Sequence, residues 1–159
     1  MFALSRVHGL LSGNYWSGAC LRDLAAGRLA ADHAADPGRL EAAGPELWLR
    51  PGAAVALGLA LHELAANAAV HGALSAPGGR VRLGWSVGTA PDDARLRVRW
   101  AEHGGPAVPG PPARRGFGRR LIERALPREL RGEARLLFAP AGVRCEFDLP
   151  LDAVAGEAP

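Results

Sequence analysis

The stretch LHELAANAAVHG, residues 61–72, is built almost wholly from Leu, Ala and Val, yet Glu63, Asn67 and His71 recur in it at every fourth position. At about 3.6 residues per turn these three side chains fall on one narrow stripe of a helix. Leu57, Leu61, Leu64 and Ala68 fall on a different seam, apolar and fit to face a sheet. A polar stripe most often meets water. A solvent face, however, normally carries several long charged residues, and this one has a single carboxylate among small neighbours. A carboxylate and a short carboxamide flanked by alanines suit close approach by a ligand.

Glu102 is a second candidate. In RLRVRWAE, Leu96, Val98 and Trp100 alternate with Arg95, Arg97 and Arg99, and strict alternation sends Glu102 to the apolar side. An inward carboxylate is costly unless something hydrogen-bonds to it. A salt bridge to a neighbouring arginine, or a bulge that turns it outward, would also account for it. Directly after it, HGGP allows close backbone approach, because glycine has no Cβ. Further on, RRGFGRRLIERAL sets Gly116 and Gly118 at the start of a helix, where free N–H groups and the positive dipole end make a phosphate seat. One G-x-G alone is weak; the ordered series is the stronger signal.

The elements that must position these groups are legible from periodicity. Residues 2–12 read as a short helix ending at Gly13-Asn14, and Leu21 to Ala30 as a second. Gly44-Pro45 reads as a turn between two short strands. Pro51 suits the first turn of a long central helix, with Gly72 as its left-handed stop. RVRLGWSV and RLRVRWAE alternate cleanly, which predicts an antiparallel sheet with helices on one face only. Residues 103–114 form a Gly/Pro loop, and helix resumes around Arg115 to Leu126. A closing hairpin, ARLLFAP and VRCEFDL, turns Val143, Cys145, Phe147 and Leu149 inward, and the tail after Leu151 is expected to fray. The sum is a two-layer α/β (α+β) sandwich with a mostly antiparallel, mixed sheet.

Bulk properties narrow the function classes. The chain has 159 residues, 48% of them hydrophobic and 22% charged, which suits one globular domain with a real core. The net charge of +3 comes with 19 basic residues, all arginine. No recognition-helix or aromatic RNA-binding pattern accompanies that excess, so no nucleic acid partner is expected. The N-terminus lacks the form of a signal peptide, no uncharged run has the length of a membrane span, and a cytoplasmic location is the expectation. Cys20 and Cys145 have no metal-type spacing and read as free thiols.

The series of polar helix, inward acid with glycines, flexible loop and glycine-led helix resembles the ATP-binding domain of the GHKL superfamily, which implies the Bergerat fold. In detail it is similar to the HWE sensor histidine kinases. ALHELAANAAVHGALS resembles their N box, with His62 as the H; WAEHGGP resembles the G1 box, with Trp100 and Glu102 as W and E; RRGFGRRLIERAL resembles the G2 box. The resemblance implies ATP and Mg²⁺ as cofactors, with Asn67 as the Mg²⁺ ligand. It implies that Glu63 positions or activates the attacking group, and that His62 either orients the constellation or is structural. Glu102 would accept a hydrogen bond from the adenine amino group beside Trp100, and Gly104 and Gly105 would admit base and ribose. Gly116, Phe117 and Gly118 would bring backbone amides to the phosphates. Arg114, Arg115 or Arg119 would serve as charge partners, although for each a solvated role is the commoner case.

Val70-His71 replaces the Lys-Tyr that often precedes the glycine closing this box. His71 then has two readings, phosphate contact or an interaction with the helix dipole. Residues 1–20 resemble the end of a dimerisation helix and its linker, 21–151 the catalytic domain, and 152–159 a disordered tail. The H-R-x-x-N-type phosphoacceptor motif of these kinases does not occur, and His8, His33 and His103 lie in the wrong context. The expected activity is phosphoryl transfer to a histidine carried by the missing part of the dimerisation domain or by another chain. Expected partners are that domain, a response-regulator receiver domain and, possible from the residual helix, a second copy. The alternatives are a Ser/Thr kinase of the anti-sigma type and a degenerate, non-catalytic docking module.

Overall fold

In the computed structural model the described residues are 18–33, 37–113 and 116–159, without the side chains of 28–33 and 37. The expected helix over 2–12 and the arginines at 114 and 115 lie outside them.

A long helix, α2 (Pro51–Val70), lies across a five-stranded sheet. Pro51 opens it where a missing N–H costs nothing. Its apolar seam is the expected one, with Leu57, Leu61 and Ala68 fully buried and Leu64 nearly so. Each such leucine contributes about 1.5–3 kcal/mol. By length and apolar composition α2 passes for a membrane span, but ten of its residues are buried in this core. Helix α1 (Leu21–His33) is longer than expected and buries Leu21, Leu24 and Ala25 in the same core.

The sheet has the order β2-β4-β5-β7-β6. Its strands are β2 (Leu40–Ala43), β4 (Arg80–Val87), β5 (Arg95–His103), β6 (Glu133–Ala139) and β7 (Gly142–Pro150). β2 runs parallel to β4 and every other pair is antiparallel, so the sheet is mixed as expected. Val81, Leu83, Trp85, Leu96, Val98, Trp100, Cys145, Phe147 and Leu149 point to the helices. The opposite face carries arginines paired with acids, such as Arg95 with Asp148 and Arg82 with Glu41. Both cysteines are free, and burial pushes the Cys145 thiol far above its ordinary value.

The strands flanking Gly44-Pro45 belong to different sheets: β2 joins the main sheet, whereas β3 (Trp48–Leu49) pairs with β1 (Ala19–Cys20). The tail does not fray directly after Leu151. A short helix, α4 (Leu151–Val154), buries Val154, and the Arg50 N–H donates to the Val154 carbonyl at 2.9 Å. Two apolar residues, Ala153 and Val154, suffice to seat this turn in the core.

The helix after the Gly/Pro loop runs as Phe117–Arg120, a π-turn Leu121–Ala125 and Leu126–Glu129, together α3. The Leu126 N–H reaches back five residues to the Leu121 carbonyl. That widening falls just before Pro127, whose ring in a regular α-helix strikes the carbonyl four residues earlier.

Candidate functional site

A cavity of about 900 Å³ opens between α2, the start of α3 and the inner face of β5, β6 and β7. Glu63, Asn67 and His71 all line it, so the polar stripe of α2 faces an enclosed space. Glu102 lines the same cavity, as do Gly116, Phe117, Gly118 and Arg119. Such a volume suits a nucleotide-sized ligand.

Glu102 is 3% exposed, as strict alternation along β5 requires. The Ala73 N–H donates to Oε1 at 3.0 Å, and the Trp100 Nε1–H donates to Oε2 at 3.1 Å. Each oxygen thus holds one protein donor and keeps acceptor capacity for a ligand. Burial pushes the Glu102 carboxyl above its ordinary range, and the Ala73 and Trp100 hydrogen bonds pull in the opposite direction. No arginine bridge or bulge is needed to explain the inward acid.

Gly72 follows from this arrangement. It is extended (φ −104°), not left-handed, so the sequence reading of it as a helical stop is corrected. A Cβ there would stand 2.1 Å from Glu102 Oε1. Glycine is required by the carboxylate, not by the turn.

Trp100 is 1% exposed and lies off the cavity wall, with its indole N–H engaged by Glu102. Gly104 and Gly105 also lie off the wall. Gly104 is left-handed (φ 72°) and abuts the Gly78 carbonyl, while a Cβ on Gly105 would come within 2.4 Å of Ala73 Cα. Both glycines leave room for the neighbouring chain. His62, half-buried on α2 beside Glu63, is off the wall too.

Asn67 and His71 are exposed into the opening. Gly116 is the N-cap of α3, and the first turn of that helix abuts Glu63: a Cβ on Gly118 would approach Glu63 Oε2 to 2.5 Å. Arg119 is on the wall but is not solvated. Its Nε–H donates to Glu123 at 3.1 Å, and its guanidinium lies 5.3 Å from the centre of the Phe138 ring. The Gly/Pro loop closes one side through residues 107–113, with the Val108 N–H donating to the Pro140 carbonyl at 3.2 Å.

Leu136 and Phe138 of β6, Val143 of β7 and Ile122 of α3 complete the apolar wall. Sequence reading missed their part. Alternation marks Leu136 and Phe138 as inward, but nothing local says that they face a cavity and not the core. The Ala73 amide has no side-chain signature at all.

No protein-family model matches the chain. Over 151 residues it is 38% identical to a blue-light-activated histidine kinase of Brucella anthropi, covering 95% of this chain and 30% of that protein. The protein of the same name in Brucella ovis is 36% identical over 149 residues, again covering 30% of its length. The chain therefore spans about 30% of the curated relatives it matches. Among solved structures, the histidine kinase domain of a blue-light activated histidine kinase from Erythrobacter litoralis superposes with a TM-score of 0.68 at 22% identity, over 94% of this chain and 72% of that one. The catalytic domain of the histidine kinase ThkA gives 0.60 at 13% identity, over 85% and 96% of the two chains. The ATP binding domain of PrrB from Mycobacterium tuberculosis gives 0.54 at 24%, over 88% and 96%. This chain has the fold of histidine kinase ATP-binding domains, the Bergerat fold. Over nearly its whole length it is homologous in sequence to a segment of histidine kinases.

Proposed function

We propose that this chain is the ATP-binding catalytic domain of a sensor histidine kinase of the HWE type, which transfers the γ-phosphoryl group of ATP to a histidine for relay to a response regulator. The observation that carries the reading is the shared cavity, whose wall holds the acid at 102, the amide at 67 and a glycine-led helix start. The relatives are named histidine kinases, which favours a histidine acceptor over a Ser/Thr protein or a non-catalytic docking role.

The residues present fit Mg-ATP. Glu102, fixed by two donors, offers an oriented acceptor that suits an exocyclic amino group. The apolar wall of Ile122, Leu136, Phe138 and Val143 suits a purine ring. Asn67 and Glu63 present oxygen donors of the kind a hard divalent cation takes alongside phosphate oxygens. Bound magnesium supplies charge neutralisation of the phosphates. The α3 N-terminus, from Gly116 to Gly118, lies on the cavity wall and offers free amides and a positive dipole end that suit phosphate. Glu63 faces both that helix start and the cavity, where a carboxylate can orient an incoming nucleophile. Catalysis rests on positioning and charge stabilisation, with no covalent intermediate on this domain. His62 has no contact role in this reading. The acceptor histidine, its helical domain and the receiver domain are partners carried outside the cavity, and a cytoplasmic site of action is part of the same proposal.

The test is calorimetric titration with ATP with and without Mg²⁺. Asn67→Ala, an exposed change, should leave the melting temperature within a degree or so and remove the magnesium-dependent part of the affinity. An unchanged titration would overturn the reading.

A further inference from the structure

Arg39 sits in the short 3₁₀ turn Pro37–Arg39 that leads into β2, far in sequence from every motif described above. Its side chain is part-buried and reaches across to the loop between α2 and β4. There Nε–H donates to the Gly79 carbonyl at 2.9 Å, and Nη2–H donates to the Ala73 carbonyl at 3.3 Å and to the Ala76 carbonyl. One planar guanidinium fork thus gathers three carbonyls of a single loop, which a flexible ammonium with its point charge does less well.

The same loop carries the amide that holds Glu102. Ala73 donates its N–H to Glu102 Oε1 and accepts Arg39 on its own carbonyl, so the peptide groups on both sides of its Cα are fixed. Glycines let two neighbouring stretches of backbone come close to it. A Cβ on Gly79 would stand 1.6 Å from the Ala73 carbonyl oxygen, and one on Gly105 would stand 2.4 Å from Ala73 Cα. Ala73 is thus packed closely against backbone, and Arg39 ties its carbonyl to those of Ala76 and Gly79. Without the arginine, three carbonyls lose their charged donor and the loop is free to move the amide off Glu102.

We propose that Arg39 is a positioning residue for base recognition, holding Ala73 so that Glu102 presents one fixed acceptor to the exocyclic amino group of a purine. The inference rests on the reading of Glu102 as the base acceptor. It predicts an effect on discrimination between purines, which general destabilisation does not produce.

The experiment titrates the full chain with Mg-ADP and with the diphosphate of purine riboside, which lacks the 6-amino group. Wild type should prefer ADP by about tenfold or more, the range of one hydrogen bond to a charged group. Arg39→Met should cut that preference to about threefold or less while binding of the deamino compound changes by less than about twofold. Arg39→Lys, which keeps the charge, is the second variant should the first fail to fold; its preference should lie between the two. Amide exchange at Ala73 should quicken in both. A wild-type ratio near one removes the reading of Glu102 and this proposal with it. A wild-type ratio of ten that either folded variant leaves intact, with Ala73 exchange unchanged, overturns the role of Arg39 alone.

Discussion

Two parts of the cavity wall are built differently. Around Glu102 the carboxylate is 3% exposed, the Trp100 indole that donates to it 1% and Ala73, whose amide also donates to it, 3%. Elsewhere on the wall Asn67, His71 and Gly116 are exposed, and Phe117 is 67% exposed. The first is part of the hydrophobic core and shares its rigidity; the second is lined by a Gly/Pro loop and a helix start. Selectivity for one small polar group needs a donor–acceptor geometry that does not relax, because a loose acceptor satisfies any neighbour. Charge neutralisation tolerates motion and gains from access to metal and water. The proposed assignment of base to the buried part and phosphates to the exposed part rests on that difference.

The largest effect expected is from Glu102→Ala. It leaves the Trp100 and Ala73 N–H groups buried without acceptors, each worth about 1–3 kcal/mol. The melting temperature should fall by several degrees, and calorimetry should show adenosine and ATP binding weakened about a hundredfold. Retained adenosine affinity would break the distinction between the two parts.

Next is Trp100→Phe, which keeps a ring and removes one donor; adenosine and ATP should both bind about five- to tenfold more weakly. Its pH behaviour sharpens the comparison. The ionised carboxylate is the better acceptor, so adenosine affinity should hold at high pH and fall as pH drops through a midpoint above the ordinary 4.5 of Glu102. The stability contribution runs the other way: a raised folded-state value favours the fold below that ordinary value and loses its contribution as pH rises through the raised one. Since the indole donor pulls the value down, Trp100→Phe should move the midpoint higher. Titrating adenosine avoids the phosphate's own ionisation.

The smallest effect is expected from His71→Ala. His71 is exposed at the C-cap of α2, so Mg-ATP affinity should change less than about threefold. A larger loss would give His71 a ligand contact in place of a helix-end role.

Much of the site was legible because it is periodic. The spacing of Glu63, Asn67 and His71 put them on one stripe, and the alternation of β5 put Glu102 inward, before any coordinates. Glycines were read less well, since the letter records only an absent Cβ. Gly72, whose place in the sequence suggests a left-handed stop, is extended and makes room for Glu102. Gly104 and Gly105 leave room for the loop carrying Ala73, which no letter predicts. Arg119 looked solvated, yet Glu123 and Phe138 engage it.

Taken by itself, the order of residues determined the amphipathic faces, the alternating strands and hence which polar groups leave the core and which enter it. Only the tertiary structure decided that the indole and an alanine amide share one carboxylate, that an arginine from a distant turn holds that alanine, and that β2 and β3 part into different sheets. Periodicity is a property of neighbours along the chain, so a sequence displays it. Contacts between segments thirty or forty residues apart depend on packing and on backbone groups that every residue has, and no residue letter marks them.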